Sequence, residues 1–280
     1  MLFISETLDL PDGSFTLLRD LIHERTGISY ENENRDLLAD KLSPRVVACG
    51  FDSFLDYYYL LKYDDAGQQE WKHVMDAISV QETFFWREMD QIEALVKVLV
   101  PEYFAAQSKQ PLRIWSAACA TGEEPLTIAM ALNEAGWFER ANIEILASDA
   151  SQSAINKAKA GIYRKRSFRN SSPILQQKYF QSLEEEKWQV IPEIQNKIKW
   201  NTANLMVESE IKHLAQSPII FCRNVFIYFS EKSIQKTIEV FYKNMPKPGY
   251  LCIAAAESLL KLTNYFELRE IGGAFIYVKR

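Results

Sequence analysis

The chain is 280 residues long, 48% hydrophobic and 25% charged, with a formal net charge of −5. That length suits one large or two ordinary domains, and the composition is ordinary for a globular protein. The mild acidity, with no basic stripe, argues against nucleic acid as a partner, and the lack of a long apolar run argues against membrane insertion.

Residues 1–78 read as a small helical domain. In FTLLRDLIHERTG, apolar residues at 15, 17, 18, 21 and 22 follow helical spacing and Gly27 is a stop signal. A second helix spans about Glu33 to Leu42, with a continuation past Pro44 through Val46 and Val47 to Gly50. A third runs from Asp52 to about Tyr63, with Phe54, Leu55, Tyr58 and Leu61 on its apolar side. A fourth starts near Gln68 and holds Trp71, Val74 and Ile78. The opening MLFISETLDLPDG has neither the basic flank nor the apolar core of a signal peptide, so a cytoplasmic protein is expected.

Residues 79–88, SVQETFFWRE, break the helical pattern and open a second domain over 79–280. An amphipathic helix, Met89 to Phe104, follows and is closed by the polar stretch Gln107 to Pro111. Then comes RIWSAACATGEEPL, residues 113–126: a short apolar strand at Ile114-Trp115, small residues from Ser116 to Gly122, and a helical run ending at Gly136. Strand, small-residue turn and helix is how a doubly wound α/β fold binds a nucleotide-like ligand at its first strand. Small residues let the backbone approach the ligand, and the helix start offers free N–H groups. Of a GxGxG pattern, Ala118-Cys119-Ala120-Thr121-Gly122 keeps only the last glycine. Glu123 and Glu124 at the helix start would repel a phosphate there, so a pyrophosphate ligand is disfavoured and a cationic one is compatible.

The next strand, Ile143 to Asp149, ends in an aspartate placed to accept bonds from both ribose hydroxyls. Cationic, ribose-bearing and free of phosphate describes S-adenosylmethionine. An ordinary βα turn with solvated N-terminal glutamates is the alternative at this point. The helix SQSAINKAKAGIY follows, and then an insertion over about 161–200. Its first part, GIYRKRSFRNSSPILQQKYF, is basic and irregular; WQVIPEIQNKIKW alternates and suggests two short strands, around 187–191 and 196–200. We read it as a small β subdomain on the ligand side of the sheet. Thr202 to Leu205 ends a strand, Pro218 to Phe229 is a buried strand and its exit turn, and Ser230 caps the helix EKSIQKTIEVFYKNM. KPGYLCIAAAES is turn plus strand, and FELREI-GG-AFIYVKR is a hairpin around Gly272-Gly273. A final antiparallel pair on a mostly parallel sheet suits the Rossmann-like, seven-stranded sheet of class I methyltransferases. Cys49, Cys119, Cys222 and Cys252 show no CxxC spacing and read as reduced, mostly buried thiols. His23, His73 and His213 pair with nothing at metal-ligand spacing, so no metal site is expected.

SVQETFFWRE, RIWSAACATGEEP, ASD followed by KAKAGIYR, TANL, FCRNVFIYF and the closing hairpin occur in one order and spacing. As a set they resemble the chemotaxis receptor methyltransferase family, CheR, over nearly the whole chain. The resemblance implies an S-adenosylmethionine-dependent protein-glutamate O-methyltransferase that leaves S-adenosylhomocysteine. It also implies an all-α N-terminal domain that recognises substrate, joined to a class I methyltransferase domain with a small inserted β subdomain. Carried over by position, Gln81, Thr83 and Arg87 belong to the first cofactor segment, with Gln81 in place of the family's asparagine and Arg87 suited to the cofactor carboxylate. Ala118 lies in the cofactor turn, and Glu124 matches the contact near the methionine ammonium, while Glu123 reads as a solvated first-turn acid. Asp149 matches the ribose ligand, Asn204 and Leu205 the adenine surround, and Arg223 and Asn224 the last cofactor segment. Tyr228 falls close to the transferred methyl, so Arg87 and Tyr228 are the residues nearest the chemistry, Arg87 as an anchor.

Two departures concern the partner, expected to be the cytoplasmic helices of a chemoreceptor. The family's second helix presents several arginines; here DKLSPRVVACGF keeps Lys41 and Arg45, with Pro44 in one basic place. The loop LEEEK, residues 183–187, is short and acidic and lacks the glycine-containing insertion with which some members bind a receptor's C-terminal pentapeptide, so the chain looks like the pentapeptide-independent kind. A monomer is expected. Two other readings stay open on the sequence: a class I methyltransferase acting on another protein or a small carboxylate, and a cofactor-binding regulatory module without catalysis.

Overall fold

The computed structural model describes residues 7–106 and 110–280. Part of the stretch Gln107 to Pro111, and the start of MLFISETLDLPDG, therefore lie outside the described residues.

Helices α1 (Asp12–Thr26), α2 (Arg35–Ala48), α3 (Phe54–Tyr63) and α4 (Ala66–Ile78) enclose one apolar core built from Phe15, Leu18, Ile22, Leu38, Leu42, Tyr57 and Val74. Each such aliphatic side chain contributes roughly 1.5–3 kcal/mol by leaving water. Gly27 ends α1 in the left-handed region, at φ 78°, and its N–H donates to the His23 carbonyl. α2 runs through Pro44 unbroken, because that residue sits on the exposed side where its missing N–H leaves no buried carbonyl to satisfy. Ser53 caps α3 by accepting the Asp56 N–H.

The second unit opens with α5 (Met89–Ala94), a π turn (Leu95–Leu99) and α6 (Val100–Ala106). Then follow β1 (Leu112–Ala117), α7 (Glu123–Glu134), α8 (Trp137–Arg140), β2 (Ile143–Asp149) and α9 (Gln152–Ala160). Next come β3 (Ile162–Arg164), α10 (Pro173–Tyr179), β4 (Phe180–Leu183), β5 (Lys187–Val190), α11 (Pro192–Gln195) and β6 (Ile198–Thr202). The chain closes with α12 (Glu208–Ile211), β7 (Ile219–Phe221), α13 (Glu231–Asn244), β8 (Tyr250–Cys252), β9 (Phe266–Ile271) and β10 (Ala274–Lys279).

Seven strands form one sheet in the order β6-β2-β1-β7-β8-β10-β9. Neighbours from β6 to β8 are parallel, and β10 is antiparallel to both β8 and β9. The β9–β10 turn uses Gly272 and Gly273 at φ 60° and 85°, as a tight hairpin with the sheet's twist requires. Strand order reverses between β1 and β7, and Ser116 stands opposite Phe221 there. The crevice beyond these two carboxyl ends is where an open α/β sheet binds its ligand.

The separate small sheet is β3-β5-β4. The strand expected around 196–200 does not join it. It becomes β6, the edge of the main sheet, pairing Ile198 to Thr202 with Ile145 to Asp149. Alternation marks a strand but does not say which sheet it enters, and the buried partner face of β2 decides here. Apolar clusters cover the main sheet, one including Ile114, Ile145 and Phe221, the other Trp115, Ile220 and Phe241.

Candidate functional site

The turn after β1 keeps the backbone of a glycine-rich loop without its glycines. Ala118 and Ala120 adopt left-handed conformations, at φ 56° and 48°. Such conformations cost non-glycine residues on the order of 1–3 kcal/mol and persist where the surroundings dictate them. Here Asp149 Oδ2 accepts the Ala120 N–H (2.9 Å) and the Ser148 carbonyl accepts the Cys119 N–H (2.9 Å). Gly122 is retained for a separate reason: at φ 94° a Cβ would sit 2.8 Å from the Trp200 ring and 2.9 Å from Ala158 Cβ. The glycine lets α7 approach α9 and β6.

Asp149 ends β2 at the rim of a cavity of about 720 Å³, which Ala118, Ala203, Asn204, Leu205, Asn224 and Tyr228 also line. Burial raises its carboxyl pKa, and the N–H groups of Ser151 and Ala120 act in the opposite direction. Asn204 lies on the rim, its amide donating to the Arg25 carbonyl (2.8 Å), and Leu205 is buried beside it. Next to the main cavity is a narrow recess of about 50 Å³, lined by Thr83, Phe84, Arg87, Glu124 and Arg223 and sharing Val80, Ala118, Ala120 and Asn224 with it.

At the recess, Arg223 Nε donates to Glu124 Oε2 (2.6 Å), Nη1 to the Glu88 carbonyl (2.8 Å) and Nη2 to the Arg87 carbonyl (3.0 Å). The other oxygen of Glu124 accepts the Ser116 hydroxyl (2.7 Å). The Arg223 side chain is 2% exposed and that of Glu124 13%. Arg223 therefore holds the turn at 87–88 against the start of α7, with Trp86 and Glu88 at φ 58° and 47°. Arg87 itself packs its guanidinium over the Phe84 ring at 5.3 Å and keeps its charged end at the recess.

Glu123 is not the solvated acid that the sequence suggested. It is 2% exposed and accepts the Thr121 hydroxyl (2.7 Å) and the Ser167 hydroxyl (2.9 Å), and burial raises its pKa. The inserted segment that supplies Ser167 covers it, which position in a helix's first turn cannot reveal. Gln81 also turns elsewhere: its amide oxygen accepts Lys157 Nζ (2.8 Å), its nitrogen faces Ser151 and Ser153, and it lines neither the cavity nor the recess.

Asn224, at φ 60°, begins the exit turn of β7 that carries Tyr228. Glu257, which sequence reasoning missed, accepts the N–H groups of Asn224, Phe226, Ile227 and Ala254. The far side of the turn is bound to the helical domain. Ser29 N–H donates to the Tyr228 carbonyl (2.8 Å), Ser230 N–H donates to the Gly27 carbonyl (3.3 Å), and Ile28 bridges Phe229. Asp76 on α4 adds a second tie, accepting the Ser151 hydroxyl (2.6 Å) and the Ser153 N–H (3.0 Å) at the start of α9.

The helical domain also supplies one wall of the cavity through Tyr30, Leu37 and Lys41. Burial pushes the Tyr30 hydroxyl up to about 12 and lowers the Lys41 pKa; Lys41 Nζ donates to the Ile78 carbonyl (2.9 Å). Arg45 is placed apart from Lys41. It forms a two-point pair with Glu70 (2.8 and 2.7 Å), and Tyr57 donates to the same carboxylate (2.7 Å). The two basic residues kept on the second helix thus have different surroundings, Lys41 lining the cavity and Arg45 paired within the helical domain. A groove of about 810 Å³ between α1 and α13, lined by His23, Lys232 and Lys236, collects none of the predicted site residues.

The residues present fit S-adenosylmethionine. A strand-end carboxylate is placed for ribose hydroxyls, Ala203 and Leu205 offer an apolar surface for a base, and the recess offers Arg87 and Glu124 to an amino acid's two charges. Sheet order, switch-point crevice and helical N-terminal unit define a class I S-adenosylmethionine-dependent methyltransferase with an added all-α domain. Residues 81–274 match the CheR methyltransferase SAM-binding domain and residues 13–79 the CheR methyltransferase all-alpha domain, so the chain belongs to the CheR family. It is 32% identical to chemotaxis protein methyltransferase 2 of Vibrio cholerae serotype O1, over 96% of this chain and 94% of the relative. It is 30% identical to chemotaxis protein methyltransferase 1 of Pseudomonas aeruginosa, over 95% of this chain and 97% of the relative. The chemotaxis protein methyltransferase of Escherichia coli K12 is likewise 30% identical, over 96% of this chain and 92% of the relative.

Proposed function

We propose that the cavity methylates glutamate side chains on the cytoplasmic helices of chemoreceptors, producing glutamate methyl esters. The observation that carries this reading is the shared cavity: Asp149, Asn224 and Tyr228 from the sheet side border the same space as Tyr30 and Lys41 from the helical domain. A ligand on the sheet side and a side chain entering from the helical domain would meet there.

When bound, S-adenosylmethionine supplies an activated methyl group on a sulfonium. Asp149 accepts the ribose hydroxyls, and Asn204 and Leu205 border the base. Arg87 and Thr83 hold the carboxylate of its amino-acid end, while Glu124 and Ala118 border the ammonium side. Arg223 acts through Glu124 and the 87–88 turn that it clamps, and Asn224 shapes the wall between recess and cavity. Gln81 serves the interface with α9 instead of the cofactor. The acceptor carboxylate has a reference pKa of about 4.3, so it is ionised at neutral pH and needs no general base. Tyr228 lines the methyl path and orients that carboxylate, and Lys41 attracts it into the cavity. The residues chiefly align two reactants and exclude water, and orientation alone supplies about 7–11 kcal/mol in favourable cases. Arg45, paired with Glu70, shapes the helical domain's docking face and does not line the cavity.

The hairpin between β4 and β5 turns on Glu184, Glu185 and Glu186, a short acidic loop without a glycine-containing insertion, which supports receptor recognition without a C-terminal pentapeptide. Three of the four free cysteines are buried, which suits a reducing cytoplasm, and we read the protein as a monomer. Tritiated-methyl transfer to membranes of the source organism tests the whole reading. Label released by mild base as methanol is expected, and label that survives base would refute the ester.

A further inference from the structure

The carboxylate of Glu257 collects four backbone N–H groups. Oε1 accepts from Phe226 (2.7 Å) and Ile227 (3.3 Å), and Oε2 accepts from Asn224 (3.1 Å) and Ala254 (2.9 Å). Three of these donors belong to the turn between β7 and Tyr228. That turn opens with Asn224 in a left-handed conformation, φ 60°, which asparagine adopts more readily than other non-glycine residues. Its three N–H groups, with that of Ala254 at the β8 exit, converge on one carboxylate, and a charged acceptor satisfies them better than a neutral one. The downstream end of the same segment is bonded to the helical domain at Gly27 and Ser29. Tyr228 thus leaves the backbone between two clamps, one a side chain from the β8 exit and one a main-chain bridge from the other domain.

We infer that Glu257 is a positioning residue for methyl transfer: its carboxylate fixes the turn at 224–227 and thereby the direction in which Tyr228 enters the cavity. The inference rests on the reading of Tyr228 as lining the methyl path. An ordinary loop anchor would make the same four bonds, but its loss would lower stability and every binding step together. A positioning residue instead gives a loss confined to turnover. Glutamine at 257 keeps one acceptor oxygen and turns an NH₂ group toward the N–H donors, while the bridge at Gly27 and Ser29 still holds the segment's other end.

The test is a double-mutant cycle of Glu257→Gln with Tyr228→Phe in the full chain, measuring kcat, the KM for S-adenosylmethionine and for receptor membranes, and the thermal midpoint. Glu257→Gln should lower kcat between about tenfold and a hundredfold, as a misplacement near 1 Å does, with both KM values within about threefold of wild type. In the Tyr228→Phe background the further loss should shrink to less than about threefold, because residues acting as a unit are not additive. If Tyr228→Phe alone turns over like wild type, Tyr228 is outside the reaction and the inference about Glu257 goes with it. If Tyr228→Phe is impaired but Glu257→Gln costs the same in both backgrounds, the role of Tyr228 stands and the inference about Glu257 is overturned. A Glu257→Gln whose kcat, both KM values and thermal midpoint worsen together overturns it as well. Should the glutamine variant not fold, Glu257→Asp, which keeps the charge on a shorter stem, takes its place in the cycle and the same outcomes decide.

Discussion

Arg223→Met removes the cation on which the recess is built. The wild-type guanidinium uses three nitrogens, at 2.6 Å to Glu124, 2.8 Å to the Glu88 carbonyl and 3.0 Å to the Arg87 carbonyl. With side-chain exposures of 2% for Arg223 and 13% for Glu124, solvent screens the pair little. Methionine fills much of the volume but leaves Glu124 with only the Ser116 hydroxyl, together with two carbonyls that have lost their donor. Breaking a buried ion pair by removing one member costs about 3–5 kcal/mol. For a unit of this size each kcal/mol moves the thermal midpoint by about 2–4 °C, so a drop on the order of 10 °C is expected by circular dichroism. Calorimetry should show S-adenosylhomocysteine binding weakened by at least about tenfold, since one lost bond to a charged group is worth about 1.5–3 kcal/mol. Adding Glu124→Gln should restore part of the stability, because the uncompensated charge is gone, and none of the affinity. An Arg223→Met protein within about 0.5 kcal/mol of wild type, the range of a surface change, and with normal affinity would show that the pair supports neither fold nor site.

Asp149→Asn should weaken S-adenosylhomocysteine by roughly 1.5–3 kcal/mol in calorimetry, the value of one bond to a charged acceptor. Because burial raises the Asp149 pKa, its protonation begins at a higher pH than that of a free aspartate. Wild-type affinity should therefore fall as pH decreases through that raised value, and the asparagine variant should lack this limb. Arg45→Ala should destabilise the protein by about 3 kcal/mol at neutral pH by leaving the 8%-exposed Glu70 unpaired. Burial pushes Glu70 up, but the bonds from Arg45 and Tyr57 outweigh it and lower the folded pKa. That stability is present above the unfolded value of about 4.3 and lost as pH falls through the folded value, so the two melting curves should converge in acid. Lys41→Glu should slow methylation of receptor at low salt while leaving S-adenosylhomocysteine affinity unchanged, and a wild-type rate there would remove Lys41 from substrate binding. A receptor-tail pentapeptide should give no titration heat, and micromolar binding would overturn the reading of the Glu184–Glu186 hairpin.

Local patterns in the sequence carried the fold a long way. Helix stops at Gly27, caps at Ser230 and the Gly272-Gly273 turn act within a few residues, so they can be read without tertiary information. Asp149 at the end of β2 and the small residues after β1 were legible for the same reason. What escaped were contacts between distant segments. Arg223 meets a glutamate 99 residues away and carbonyls more than 130 residues away, so its role as a clamp has no local signature. Glu257 lies in an unremarked AAAES run and acts on a turn 33 residues upstream. Glu123 looked solvated because helix position was visible and the covering insertion was not. Ile198 to Thr202 alternated like the inserted strands, and only pairing with β2 assigns it to the main sheet.

The placement of Lys41 bears on how a weakly basic second helix would serve the proposed acidic substrate. Its ammonium is held at the cavity wall by the Ile78 carbonyl, and burial disfavours its charge. A carboxylate arriving beside it would restore a partner to that cation at the point where the carboxylate itself loses water. An exposed stripe of arginines draws an acidic helix to the surface, where salt screens the attraction. On the proposed reading, Lys41 at the cavity wall would act at shorter range, on a carboxylate that enters. Methyl transfer needs an ionised nucleophile with its hydration removed and its direction fixed. On the proposed reading the cavity would bring these requirements together between two domains, with Lys41 on one wall, Tyr228 on another, and a main-chain bond from Ser230 to Gly27 joining the domains beside them.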